Sequence, residues 1–319
     1  MKIAILDDYQ DCVRKLDCYR LLDGLDVKIF HNNAKGLGQL AIRLAPFDAL
    51  VLIRERTNLT RALLSRLPNL KLICQTGRIG PHIDLATASE RGIRVVDGAG
   101  DPVAAAELTW GLILSASRKI PQYADLMKQG LWQTASVNPA FNTLGRVLHG
   151  RTLGIWGYGR IGQLVARYAI AFGMNVQVWG SAASRTRAQS DGLQVAASRE
   201  RFFADADVLS LHLRLSEQTT HLVTADDLAR MKPDALLVNT SRAELIVPGA
   251  LEQALRNGRP GSAAIDVFET EPLLPTAAIL QLENVFATPH IGFVEQDSYE
   301  QYFRPAFEAI AGFAQHHAS

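Results

Sequence analysis

A chain of 319 residues with 48% hydrophobic content is long enough for about two domains, each with its own core. Its 33 basic and 32 acidic residues leave a formal charge of +1, which removes any broad electrostatic case for nucleic acid or an anionic membrane surface. Cys12, Cys18 and Cys74 show neither a CxxC pair nor a metal-ligand spacing, so no metal is expected and reduced thiols in a cytoplasmic protein are.

The N-terminus, MKIAILDDYQ, reads as a first strand and not as a signal peptide, because charge follows its short apolar run and no cleavage pattern does. Strand patterns follow at Val27 to Phe30, Ala49 to Ile53, Leu70 to Cys74 and Ile93 to Val96, with helical segments at Leu59 to Leu67 and His82 to Arg91. That alternation predicts a parallel α/β domain. The chain then breaks at 97–102, where Asp101 is placed to cap a helix opening at Pro102 and running to Arg118. A helix so apolar all round is expected to be buried, between domains or between subunits. Residues 130–150 have no period and read as a long connection.

From Arg151 the alternation resumes. The apolar run Thr152 to Trp156 leads into Gly157, Tyr158, Gly159, Arg160, Ile161 and Gly162, and then into apolar positions at helical spacing. Strand, glycine turn and helix is the arrangement in which a helix N-terminus and free backbone amides receive a dinucleotide pyrophosphate. Further strands are expected near Val176 to Trp179, Val208 to Leu211, Ala235 to Val238, Ser262 to Ile265 and Val285 to Ala287, with a last helical stretch after His290. The predicted fold is α/β with two doubly wound parallel sheets and a cleft between them. Residues 1–99 and 291–319 are expected to form a flavodoxin-like substrate domain, and 100–290 a Rossmann dinucleotide-binding domain.

Three strand exits carry chemistry. Arg242 follows Asn239, Thr240 and Ser241; Asp266 and Glu271 lie in the run DVFETEP; His290 follows Pro289. In open parallel sheets ligands bind outside the carboxyl ends of strands, so these side chains are expected to converge. A histidine of reference pKa ~6.5 suits proton transfer near neutral pH, a neighbouring carboxylate favours its charged form, and an arginine fork matches a carboxylate.

With GYGRIG at 157–162, NTSR at 239–242, DVFETEP at 266–272 and TPHIG at 288–292, the chain resembles the D-isomer-specific 2-hydroxyacid dehydrogenases. The resemblance extends to VAAAELTWGLILSASRK at 103–119, which looks like the helix that family uses to dimerise, so a homodimer is expected. It implies an oxidoreductase moving hydride between a nicotinamide dinucleotide and a 2-keto acid, of the glyoxylate, hydroxypyruvate or phosphoglycerate kind. Arg242 would hold the substrate, His290 would act as acid and base with Glu271 as its partner, and Thr240, Asp266 and Gly292 would join the glycine turn in holding the coenzyme. The substrate loop would be Gly77, Arg78 and Ile79, where Ile79 replaces a common glycine, with Arg54 beside it. A non-catalytic dinucleotide sensor, of the kind that co-repressors resembling this family represent, is the alternative.

The coenzyme end departs from the plain NAD pattern. An acid about 20 residues beyond the glycines ordinarily binds the adenosine ribose and repels a 2′-phosphate. Here the strand ending at Trp179 is followed by Gly180 and Ser181, and Arg185 lies just downstream. NAD or NADP is therefore expected, with NADP slightly favoured.

Overall fold

The structure, a computed structural model, describes residues 1–34, 36–141 and 143–317. The chain separates into two compact units, Met1–Asp101 with Val294–Ser319, and Pro102–Phe293.

The first unit is a five-stranded parallel sheet in the order β2-β1-β3-β4-β5, the flavodoxin-like order. Its elements are β1 (Lys2–Ile5), β2 (Asp26–Ile29), α1 (Leu37–Leu44), β3 (Ala49–Ile53), α2 (Arg61–Leu64), β4 (Leu72–Thr76), α3 (Leu85–Glu90) and β5 (Arg94–Val96). Every residue of β3 and β4 is buried. The β4 strand starts and ends two residues later than the apolar run suggests, because its polar end is satisfied inside the fold. Gln75 Nε2 donates to the Arg54 carbonyl at 3.0 Å, and the Thr76 hydroxyl donates to the Leu52 carbonyl at 2.8 Å. Two short 3-10 turns, Val13–Lys15 and Asp17–Leu22, follow β1 without any clear period in the sequence.

The second unit carries α4 (Val103–Ser117), α5 (Ile120–Lys128), β6 (Thr152–Trp156), α6 (Arg160–Ala171), β7 (Asn175–Trp179), α7 (Ala182–Ser190), β8 (Gln194–Val195), α8 (Arg199–Asp205), β9 (Val208–Leu211), α9 (Ala225–Arg230), β10 (Leu236–Asn239), α10 (Ala250–Arg256), β11 (Ser262–Ile265) and β12 (Val285–Ala287). Its seven strands are parallel in the order β12-β11-β10-β9-β6-β7-β8, so the topological switch point falls between β6 and β9. The final helix, α11 (Gln296–His317), belongs to the first unit.

Side chains of β6 alternate between two cores, as a strand covered on both faces requires. Leu153 and Ile155 join α4 and α6, whereas Trp156 meets Phe202 and Phe203 edge-on at 5.9 and 5.5 Å between ring centres. The two phenylalanines are fully buried and each contributes roughly 2–3 kcal/mol. On α6 the buried positions are Gly162, Val165, Ala166 and Ala169, the i, i+3, i+4, i+7 stripe that sets the helix against the sheet.

The apolar helix α4 is accounted for largely within its own unit, where Ala106, Trp110, Leu112 and Ile113 join the core with α6. Its N-cap is Pro102, one residue later than the Asp101 cap expected, so the helix opens at Val103. The helix α5 went unrecognised in the sequence because it buries no residue and so carries no core stripe. No helix among the described residues is long and apolar enough to cross a membrane.

Candidate active site

The turn after β6 lies at the switch point. Gly157 has φ +100°, and a Cβ there would stand 2.6 Å from the His212 carbonyl oxygen at the exit of β9. A Cβ on Gly162 would run into the Gly157 carbonyl. Those two glycines are demanded by the fold. Gly159 is different: its φ of −89° suits any residue, and a Cβ would meet nothing within 4 Å. It sits at the N-cap of α6, where no side chain caps the helix, and the space it leaves open is where a pyrophosphate would approach the amides. The residues present fit a dinucleotide.

Around this turn the other motif positions divide. Arg160 is exposed and Ile161 half-buried. The Tyr158 side chain is buried, and its hydroxyl donates to Asp191 Oδ2 at 2.9 Å, which with burial pushes the phenol up to about 12. Only the Tyr158 backbone is left to face a ligand, and its carbonyl accepts from Arg187 at 3.2 Å. At the exit of β7, Ser181 caps α7, its hydroxyl accepting from the Ser184 amide. Arg185 lies over the Trp179 ring at 5.0 Å, so its guanidinium is held beside the strand end that lacks an acid.

At the exit of β10, Asn239 is buried and shapes the loop in both directions, donating to the Arg242 carbonyl at 2.9 Å and accepting from the Ser241 amide at 3.1 Å. The Arg242 guanidinium donates to the Ser241 carbonyl at 2.7 Å. The Thr240 and buried Thr109 hydroxyls lie 2.7 Å apart, tying this loop to α4.

Five residues past Asp266, Glu271 reaches His290, with Oε2 2.7 Å from Nδ1. Its other oxygen accepts from the Phe268 amide at 3.0 Å. Burial pushes the Glu271 carboxyl up, but the hydrogen bond and charge of His290, the Phe268 amide and nearby Arg242 outweigh it and hold the group below the ordinary value. His290 has a left-handed backbone, φ +53°, uncommon for residues other than glycine although histidine is among those found there more often.

Asp266 explains how that conformation is kept. It is 1% exposed; Oδ1 accepts from the Thr288 hydroxyl at 2.6 Å and the Ile291 amide at 2.8 Å, and Oδ2 from the Gly292 amide at 2.9 Å. Burial still dominates and raises its pKa. Asp266 and Gly292, both expected to help hold the coenzyme, are thus bound to each other, and a Cβ on Gly292 would stand 3.2 Å from Asp266 Oδ2. Nothing in residue spacing signals this carboxylate-to-backbone clamp.

In the first unit, Gly77 is buried with φ +90°, and the Arg54 guanidinium occupies the place its Cβ would take. Arg78 is exposed. Ile79 packs against the core of its unit, so its side chain faces hydrophobic neighbours and only its backbone can serve a ligand. Sequence reasoning missed Tyr302 of α11, whose ring lies 5.2 Å from the Arg54 guanidinium carbon.

A family model described as the NAD binding domain of D-isomer specific 2-hydroxyacid dehydrogenases matches residues 110–292. The chain is 37% identical over 255 residues to the D-3-phosphoglycerate dehydrogenase of Methanocaldococcus jannaschii, covering 80% of this chain and 47% of that one. With the hydroxypyruvate reductase of Thermotoga maritima it shares 35% over 257 residues, covering 79% and 80% respectively. The chain therefore spans about half the length of the phosphoglycerate dehydrogenase it matches and four fifths of the reductase. A crystal structure of a phosphoglycerate oxidoreductase from Vibrio cholerae o395 is 52% identical and superimposes with a TM-score of 0.95 over 100% of both chains. These relatives carry the names of enzymes, and the sensor alternative gains no support from them.

Proposed function

The chain belongs to the D-isomer-specific 2-hydroxyacid dehydrogenase family, and from that premise we propose that it works mainly as a reductase, turning a 2-keto acid into the D-2-hydroxy acid. The observation that carries this reading is the 2.7 Å contact between His290 Nδ1 and Glu271 Oε2, in a sheet whose β6 turn suits a dinucleotide.

A bound nicotinamide dinucleotide supplies the hydride. What remains is to place the keto acid and to give its carbonyl oxygen a proton as negative charge gathers there. Glu271 engages Nδ1, which fixes the tautomer and leaves Nε2 of the charged ring to deliver that proton. Arg242 offers a planar fork to the substrate carboxylate and carbonyl. Within the first unit, the Gly77–Gly80 loop has backbone amides of the kind that suit a carboxylate, with the Arg54 guanidinium against Gly77.

The coenzyme includes NADPH as well as NADH in this reading, with NADPH carrying the higher specificity constant. The β7 exit supports it, having Ser181 and Arg185 where an acid would repel a 2′-phosphate. The protein acts as a homodimer in the cytoplasm, where its three free cysteines stay reduced.

The decisive experiment is a panel of 2-keto acids offered with NADH and with NADPH, following loss of the reduced nicotinamide absorbance and the chirality of the product. Keto-acid-dependent oxidation yielding the D-hydroxy acid is expected. A protein that binds the nucleotide but oxidises it with no 2-keto acid would overturn the reading.

A further inference from the structure

The His290 imidazole meets two different kinds of group within its own unit. Glu271 Oε2 lies 2.7 Å from Nδ1, and the Phe293 ring stands edge to face with the imidazole, 5.9 Å between ring centres and 82° between planes. The first contact holds one atom. A hydrogen bond at Nδ1 sets the tautomer but tolerates a range of angles, so the ring can still rock about its side-chain torsions, and Nε2, across the ring, sweeps furthest when it does. The second contact holds the plane. Aromatic rings prefer the T-shaped arrangement because the positive edge of one meets the negative face of the other, and a tilted imidazole loses that match.

Phe293 is itself firmly placed. Its side chain is buried, and it comes directly after the turn whose amides, at Ile291 and Gly292, donate to Asp266. A Cβ on Gly292 would stand 3.2 Å from Asp266 Oδ2 and 3.8 Å from Leu108 Cδ2 of α4, so the turn is wedged between the β11 exit and that helix. At its start the left-handed backbone of His290 sets the direction in which the chain enters it. One anchored turn therefore delivers both rings of the pair, the imidazole at its beginning and the phenyl ring at its end.

We infer that Phe293 is a positioning residue for proton transfer: its ring holds the plane of the His290 imidazole, as Glu271 holds Nδ1, so that Nε2 keeps one direction before the keto acid arrives. The inference rests on the proposed function, in which Nε2 delivers the proton. Phe293 acts through His290 and not on the substrate. Leucine in its place stays apolar and buried but has neither a flat face nor a ring quadrupole, so it fills much of the space without restraining the plane. Placement of this kind matters to rate, because a reacting group displaced by about 1 Å can lose on the order of 10²-fold.

The test is a double-mutant cycle on the full chain, read as kcat and KM with a 2-keto acid that the wild type reduces. Phe293→Leu should lower kcat about tenfold or more while KM for keto acid and coenzyme stays within about twofold of wild type. Phe293→Tyr, which keeps the ring, should recover most of the loss. In a His290→Ala background Phe293→Leu should change the residual rate no further, because the group it positions is gone. An equal loss in both backgrounds, or a loss carried by KM, would overturn the inference by giving Phe293 a role of its own in the fold or on the substrate. Unchanged kcat in a folded Phe293→Leu protein would overturn it as well. A further check needs no variant to fold: the wild-type protein should show nuclear Overhauser contacts between the His290 imidazole protons and the Phe293 ring, and their absence would overturn the inference. A wild type that reduces no 2-keto acid would instead remove the proposed function on which it stands.

Discussion

Glu271 and His290 stand 19 positions apart in the chain and share one hydrogen bond of 2.7 Å between Oε2 and Nδ1. If His290 passes the proton, His290→Ala should lower turnover by about 10² to 10⁴ while nucleotide binding, read by fluorescence titration, stays near wild type. Glu271→Gln keeps a hydrogen-bonding oxygen but loses the charge, and a smaller fall is expected. Wild-type turnover in His290→Ala would remove the assignment.

Asp266 should matter to both stability and rate. Replacing it by Asn turns an acceptor of three donors into a group whose NH₂ must face one of the amides of Ile291 or Gly292. A loss of about 2–4 kcal/mol in urea unfolding is expected, with reduced turnover as His290 leaves its left-handed conformation. An Asn variant with unchanged stability and rate would show that the clamp is dispensable.

At the coenzyme end, Arg185→Ala should weaken NADPH by about 1–3 kcal/mol and leave NADH nearly untouched, because only the former carries a 2′-phosphate for the guanidinium over Trp179. Steady-state kinetics settle it. A wild-type preference of about tenfold or more for NADH would reject the NADPH assignment.

His212 sets a pH dependence of folding. Its Nδ1 is buried without a hydrogen bond and its Nε2 meets Ser210 Oγ at 2.9 Å; burial lowers the ring from 6.5 to about 4. Between those values the unfolded chain binds a proton that the folded one does not, so stability rises with pH across this window. The loss is complete below about 4 and amounts to at most about 3 kcal/mol. Urea unfolding of His212→Gln from pH 4 to 7 should show a shallower acid slope; an identical slope would assign the loss to other groups.

A homodimer interface is expected in the segment after α4. That helix spends most of its apolar surface inside its unit, whereas Trp132 is 77% exposed, Val137 72%, Leu144 85% and Val147 66%. Light scattering at micromolar protein should give twice the chain mass, and Trp132→Glu with Leu144→Glu should halve it. A wild-type monomer would count against the assembly.

The parallel α/β architecture was legible because the central strands are short apolar runs closed by turn residues, as at Thr152–Trp156, Val208–Leu211 and Ser262–Ile265. Elements with little buried surface, such as α5 and the two-residue β8, left no period to read. Strand exits were legible too, since Arg242, Glu271 and His290 each follow an apolar run. What could not be read was which atoms those exits spend on each other. The Tyr158 hydroxyl goes to Asp191 and the Asp266 oxygens to a turn after the neighbouring strand, pairings that depend on three-dimensional closure and not on spacing.

The clamp at Asp266 makes the edge of the sheet a self-sufficient cassette. Residues 266–292 hold the histidine proposed as acid and base, its carboxylate partner and the anchor of the turn that follows it, and the hydrogen bonds of that anchor's carboxylate to Thr288, Ile291 and Gly292 all close within the cassette. An ancestral dinucleotide sheet could therefore have acquired or lost proton transfer by exchanging two strand exits, leaving the nucleotide turn after β6 unaltered.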